Sequence, residues 1–210
     1  MSTRIFLVIC SLLTVHGSAA TLVDAAREQI GVTKSYDPGY RKLDYPGGDV
    51  PKQTGVCSDV VVRAFRTFGF DLQKEVHEDM AKAFDQYPHK WRLTRPDPNI
   101  DHRRVPNLMT YFKRQGWSVL VTAKPAEFKS GDVVVWDLGG GVTHIGIVSN
   151  RRSPDGIPLV IHNIGQGAKE ENILFRHEMI GHYRPKLRLN AEASSGPKLQ
   201  VEQVRPANFE

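Results

Sequence analysis

The sequence predicts an α+β domain, with helices mainly in the N-terminal half and an antiparallel sheet in the C-terminal half. Before residue 116 the apolar residues recur at helical spacing. Beyond it, short β-branched and aromatic runs are separated by Gly, Pro, Asn and Asp, which is strand and turn chemistry. About 190 residues remain once a leader is set aside, enough for one domain with a core that needs neither disulfides nor metal.

Residues 1–20 read as a secretory signal. Arg4 supplies a short positive region, residues 5–15 an apolar stretch too short to span a bilayer, and Ser18-Ala19-Ala20 small residues before a cut. Cleavage near Ala20 would leave a mature chain starting at Thr21, in the periplasm or secreted. No later segment is apolar enough to cross a membrane, so no stable membrane insertion is expected.

The first helix follows from Leu22, Val23, Ala26 and Ile30, with Gly31 as its stop. Residues 36–55, rich in Gly, Pro and Tyr, form a long ordered loop. Val60, Val61, Ala64, Phe65 and Phe68 define one face of a second helix ending at Gly69, and Cys57 sits at its start, one turn earlier and facing the core. Residues 72–84 have weaker helical character. Residues 87–106 carry four prolines and read as an excursion over the surface, after which Pro106 opens a helix that stops at Gly116. Strands are expected at residues 117–122, 132–137, 144–149 and 159–163, in a sheet of about four to six strands. The domain is placed at 21–189; residues 190–210 contain few large apolar side chains and read as a disordered tail.

Lysine and arginine total 28 against 23 acids, a net charge of +5. That excess is modest and carries no basic block with interleaved aromatics, so nucleic acid is not an expected partner; anionic cell-wall polymers fit as well.

Of two cysteines in the sequence, Cys10 leaves with the leader. Cys57 therefore has no partner for a disulfide within the mature chain, and its residue type alone suits a buried structural thiol as well as a nucleophile. Position favours chemistry. Unpaired N–H groups at a helix start stabilise a thiolate and can hold an oxyanion, and a nearby imidazolium would lower the thiol pKa further. His144 opens the run His144-Ile145-Gly146-Ile147-Val148 after a glycine-rich turn, with His144, Gly146 and Val148 on one strand face. Small Gly146 beside it would leave room for a helix end or a substrate. The next strand offers His162 or Asn163, on opposite faces, to hold the imidazole in its tautomer.

Cys57, then Lys129-Ser130-Gly131-Asp132-Val133-Val134-Val135-Trp136, then Thr143-His144-Ile145-Gly146-Ile147, then Val160-Ile161-His162 resembles the motif order of NlpC-type cell-wall cysteine peptidases of the papain-like superfamily. More closely, Tyr45-Pro46-Gly47-Gly48-Asp49-Val50-Pro51, Gly55-Val56-Cys57, the stretch from Asn99 to Leu108 and Ile161-His162-Asn163-Ile164-Gly165 resemble the bacterial family catalogued as domain of unknown function 1287. The resemblance implies a papain-like fold with Cys57 as nucleophile, His144 as base and His162 as the orienting third member. Tyr45 would match a tyrosine near the oxyanion site. The implied activity is amide hydrolysis in peptidoglycan stem peptides or muropeptides, without a cofactor. The context Val56-Cys57-Ser58-Asp59 departs from the usual Asp-Cys-Ser-Gly.

Other readings stand beside it. Asp101, Arg103 and Arg104, with His102, form either a wall for a carboxylated peptide or a salt-bridged loop that fixes the excursion to the core. The related fold also serves acyl transfer and ester hydrolysis, and a binding protein of the cell envelope could keep it without turnover. No metal is expected: His177 and His182 fail the four-residue spacing of a zinc helix, and only a dispersed set of His162, His177 and His182 would remain.

Overall fold

The computed structural model describes residues 21–91 and 93–187. The expected leader and tail lie outside those residues. Four α-helices, α1 (Leu22–Arg27), α2 (Cys57–Arg66), α3 (Leu72–Lys82) and α4 (Val105–Arg114), precede the main sheet. That sheet is formed by β3 (Val133–Asp137), β4 (Thr143–Arg152), β5 (Pro158–Asn163), β6 (Ala168–Glu171) and β7 (Glu178–Tyr183). It has five strands in the order β6-β5-β4-β3-β7, every neighbouring pair antiparallel. A two-residue parallel pair, β1 (Ser35–Tyr36) and β2 (Thr54–Gly55), leads directly into α2.

Local chemistry sets the helix starts. Thr21 and Asp24 bond each other's backbone N–H at the head of α1, and Asp71 accepts from Gln73 N–H at the head of α3. Val56 has no polar side chain to cap α2; Asp59 reaches back and accepts the Val56 N–H at 2.7 Å. The N–H groups of Cys57 and Ser58 are thus left free to face the thiol.

The sheet is covered on both faces, which is why β3 reads Val-Val-Val-Trp without alternation. One face carries Val133, Val135, Ile145, Ile147 and Ile161 against the helices. On that side Phe65, Phe112, Trp117 and Tyr183 stack at centroid distances of 5.4–6.1 Å and tie α2 and α4 to the sheet. The opposite face packs Val134, Trp136, Val148 and Val160 against Phe128, Ile173 and Leu174. Each such side chain contributes roughly 1.5–3 kcal/mol by leaving water.

Three expectations are corrected. Residues 117–122 form no strand: one bridge joins Ser118 to Tyr183, and Leu120 is 79% exposed, so the run has no second face to bury. Helix α2 is buried on nearly all sides rather than along one stripe, because α1, α3 and the sheet surround it. The excursion before α4 does not stay on the surface, since Asp101, His102 and Arg103 are buried in a 3-10 turn.

Candidate active site

A cleft of about 440 Å³ ends on Cys57. Its walls come from three places: Tyr36, Pro38 and Tyr40 of the long loop; Trp91, Ile100, Arg104 and Pro106 of the excursion; and Gly141 and Thr143 before β4. Ser58 donates to the Arg103 carbonyl at 2.8 Å, so the first turn of α2 fixes the excursion wall in place.

The Cys57 thiol is 3% exposed. The polar groups facing it are the Ile145 N–H of β4, its own and the Ser58 N–H, and the Tyr36 hydroxyl. Burial outweighs the N–H groups and, with the Asp59 carboxylate, pushes the thiol up to about 11. The helix start therefore does not by itself give a thiolate at neutral pH, contrary to the expectation from position. Loss of hydration is the larger effect at so buried a sulfur. Tyr36 is pushed up to about 12, by burial first and then by the thiol, so it keeps its proton as a donor.

His144 stands next to Ile145 in β4 but on the other face, stacked on Trp136 at 5.5 Å. Its Nε2 meets His162 Nδ1 at 2.9 Å. Burial, then the charges of His162 and His177, pushes His144 down to about 3, so its imidazole is neutral. Burial also lowers His162. The space at Gly146 is not open as expected: a Cβ there would lie 2.6 Å from Val160 Cγ1 and 3.0 Å from the Ile161 carbonyl. The glycine lets β5 approach and brings His162 to His144.

Asn163 points the other way and donates to the Gly55 and Ser35 carbonyls at 3.0 and 3.3 Å, clamping β1 and β2 beside Cys57. Tyr45 packs edge-on against His77 at 5.2 Å and does not line the cleft; the tyrosine at the thiol is Tyr36. Arg103 is spent internally, bidentate on Asp59 at 3.0 Å with its remaining bonds to the Asp37 and Gly39 carbonyls. Asp101 is fully buried, bonded by the Asp97 N–H at 2.5 Å and near His77 at 3.5 Å. Burial pushes it up to about 6. Arg104 faces the cleft with its guanidinium 4.3 Å over Trp91, and its Nη1 has no partner. Of the histidines weighed for zinc, His177 bears on His162 and His144. His182 is bonded to Asp132 at 2.7 Å and stacked on Phe128, away from His162. Among the described residues no three His, Cys, Asp or Glu side chains converge as metal ligands.

The family described as domain of unknown function (DUF1287) matches residues 23–185. The chain belongs to this family. It is 58% identical over 163 residues to the uncharacterized protein YijF of Escherichia coli (strain K12), covering 78% of this chain and 80% of that one. It is also 25% identical over 120 residues to the non-reducing polyketide synthase pks11 of Talaromyces marneffei, covering 57% of this chain and 4% of the synthase.

Several cleft residues of this DUF1287 chain escaped sequence reasoning. Tyr36 reaches Cys57 because β1 pairs with β2, Tyr36 opposite Gly55, a contact across the loop that spacing cannot show. Trp91 and Tyr40, 50% and 61% exposed, line the cleft mouth. Trp91 has a φ of 59°, unusual for a bulky side chain, and no sequence signal marked it. Among the described residues no helix is long and apolar enough to cross a membrane.

Proposed function

We propose that this DUF1287 chain is an exported thiol hydrolase of papain-like, NlpC type that cleaves amide bonds, with peptidoglycan stem peptides as its substrate class. One observation carries the reading: the cleft ends on a cysteine at a helix start that faces the Ile145 N–H of β4, the strand whose opposite face carries His144, an imidazole bonded to His162 of β5. The leader-like residues 1–20 support export, and Arg104, which lines the cleft with its Nη1 unpartnered, suits the carboxylates of stem peptides.

The thiol and His144 start neutral. In this reading the thiol proton goes to Nδ1 of His144, the nitrogen not engaged with His162, as sulfur attacks the scissile carbonyl. Because His144 stacks on Trp136 on the sheet face opposite Cys57, the transfer requires the start of β4 to turn the imidazole toward the thiol. The S–C bond forms, and the developing oxyanion draws on the Cys57 N–H and the Tyr36 hydroxyl. The C–N bond then breaks as His144 returns the proton to the leaving amine. Water adds to the thioester, gives a proton to His144, and the C–S bond breaks with the thiol reprotonated and the acid released.

A second reading, a non-catalytic envelope binding protein, is favoured by the thiol itself, 3% exposed and pushed up to about 11. Mass spectrometry of muropeptides incubated with the protein separates the two. Hydrolysis by the wild type that disappears in Cys57→Ala and His144→Ala, with folding intact, supports the enzyme. Retained muropeptide binding with no cleavage by the wild type selects the binding protein. Products joined to an added amine, in place of free acids, would mark acyl transfer.

A further inference from the structure

His162 has a second nitrogen that the proposed chemistry does not use. His162 is 1% exposed, its Nδ1 faces His144, and its Nε2 is buried with no well-aligned hydrogen bond. A buried ring N–H left without an acceptor loses its hydration with nothing to replace it. One acceptor stands at ion-pair distance: Glu171 Oε2 of the edge strand β6, 3.1 Å from Nε2.

The register explains why this glutamate reaches it. His162 lies opposite Lys169, so Lys169 and Glu171 share its side of the sheet, while Glu170 points away. Glu170 is held by Arg27 and Arg151, both at 3.0 Å, and by Ser149. The Lys169 ammonium is turned to Gln166 at 2.7 Å. The remaining charged or titratable group bearing on the pair is His177, ahead of β7. Among these residues Glu171 alone brings an acceptor to His162 Nε2.

We propose that Glu171 is a positioning residue that sets the direction of an imidazole relay, Glu171 to His162 to His144. A carboxylate at Nε2 of His162 holds the proton there and leaves Nδ1 with its lone pair. That lone pair can only accept, so His144 must present Nε2–H to it at 2.9 Å. Nδ1 of His144 is then fixed as the unprotonated nitrogen, the form a general base needs. When His144 gains a proton, the charge is shared along the same line toward a carboxylate 40% exposed at the sheet edge. The catalytic meaning rests on the proposed role of His144 as base; the tautomer assignment does not.

The test is long-range ¹H–¹⁵N correlation spectroscopy of the full chain labelled in histidine, near neutral pH, for wild type, Glu171→Gln and Glu171→Ala. Both His144 and His162 should be Nε2–H tautomers in the wild type. In Glu171→Ala, the His162 Nδ1 resonance should move toward the protonated position, with Glu171→Gln intermediate and the backbone spectrum kept in both. A wild-type His162 protonated at Nδ1, or tautomers unchanged in Glu171→Ala, overturns the relay. Muropeptide cleavage, measured beside it, should fall about tenfold or more in Glu171→Ala, because a shifted tautomer leaves less His144 in the form that accepts a proton at Nδ1. Tautomers as stated with no cleavage by the wild type leave the relay standing and remove the hydrolase. Cleavage unchanged in Glu171→Ala despite altered tautomers removes the positioning role while the hydrolase stands.

Discussion

At Cys57 two effects of opposite sign meet, and their relative size decides the chemistry. Free N–H groups at a helix start favour a thiolate by roughly 0.3–1 kcal/mol, whereas burial at 3% exposure disfavours it by more and the thiol is pushed up to about 11. Iodoacetamide labelling of folded protein should therefore be slow at pH 7 and still be rising past pH 9. A plateau below pH 8 in the rate profile would mean that an imidazolium, not burial, governs the sulfur. The neighbouring arginines differ in kind. Arg103 neutralises the buried Asp59 with two bonds, so Arg103→Ala should cost about 3–5 kcal/mol in urea unfolding. Arg104 has no such anion, and Arg104→Ala should lose far less stability while weakening muropeptide binding. Equal losses in the two variants would contradict this division.

At the scale of elements, the contact between β4 and β5 builds the histidine pair. Gly146→Ala would drive a methyl into Val160 and the Ile161 carbonyl, and backbone cannot rotate aside as a side chain can. The expected cost is about 1–3 kcal/mol in urea unfolding. An unaffected midpoint would show that β5 yields freely. Element identity was legible wherever the local pattern matched the burial: α1, α3, α4, β3, β4 and β5 all stand within a few residues of their sequence signals. Strands β6 and β7 were not individually legible, because Ala168-Lys169-Glu170-Glu171 is polar and Glu178-Met179-Ile180-Gly181-His182-Tyr183 resembles a histidine helix motif. They are strands because β5 and β3 offer open edges to pair with.

Over the whole molecule, buried imidazoles make stability depend on pH. His102 and His144 are each pushed down to about 3, chiefly by burial. A base with a lowered folded value contributes stability that is present above the ordinary value of about 6.5 and is lost as pH falls through that value toward the folded one. Asp101, pushed up to about 6, acts in the opposite sense: its contribution is present below about 4 and is lost as pH rises to 6. Near pH 5 unfolding thus takes up about two protons at the histidines and releases about one at Asp101, a net slope of roughly 1.4 kcal/mol per pH unit. The urea midpoint should fall between pH 7 and pH 4.5, and His102→Gln should flatten that fall. A midpoint constant over the range, or an unchanged slope in His102→Gln, would contradict the buried neutral histidines.

Sequence alone determined the α+β class, the helix start at Cys57, the strand carrying His144 and the one carrying His162. These follow from periodicity, caps and glycine or proline stops, which act over a few neighbouring residues. Tertiary structure decided which groups meet. It selected Tyr36 rather than Tyr45 at the thiol, His162 rather than Asn163 at His144, Asp59 as the partner of Arg103 while Arg104 keeps an unpartnered nitrogen, and Glu171 behind His162. It also reversed the expected direction at Cys57. Strand register, cross-chain pairing and depth below the surface set these outcomes, and each depends on residues tens of positions apart, where local spacing carries no information.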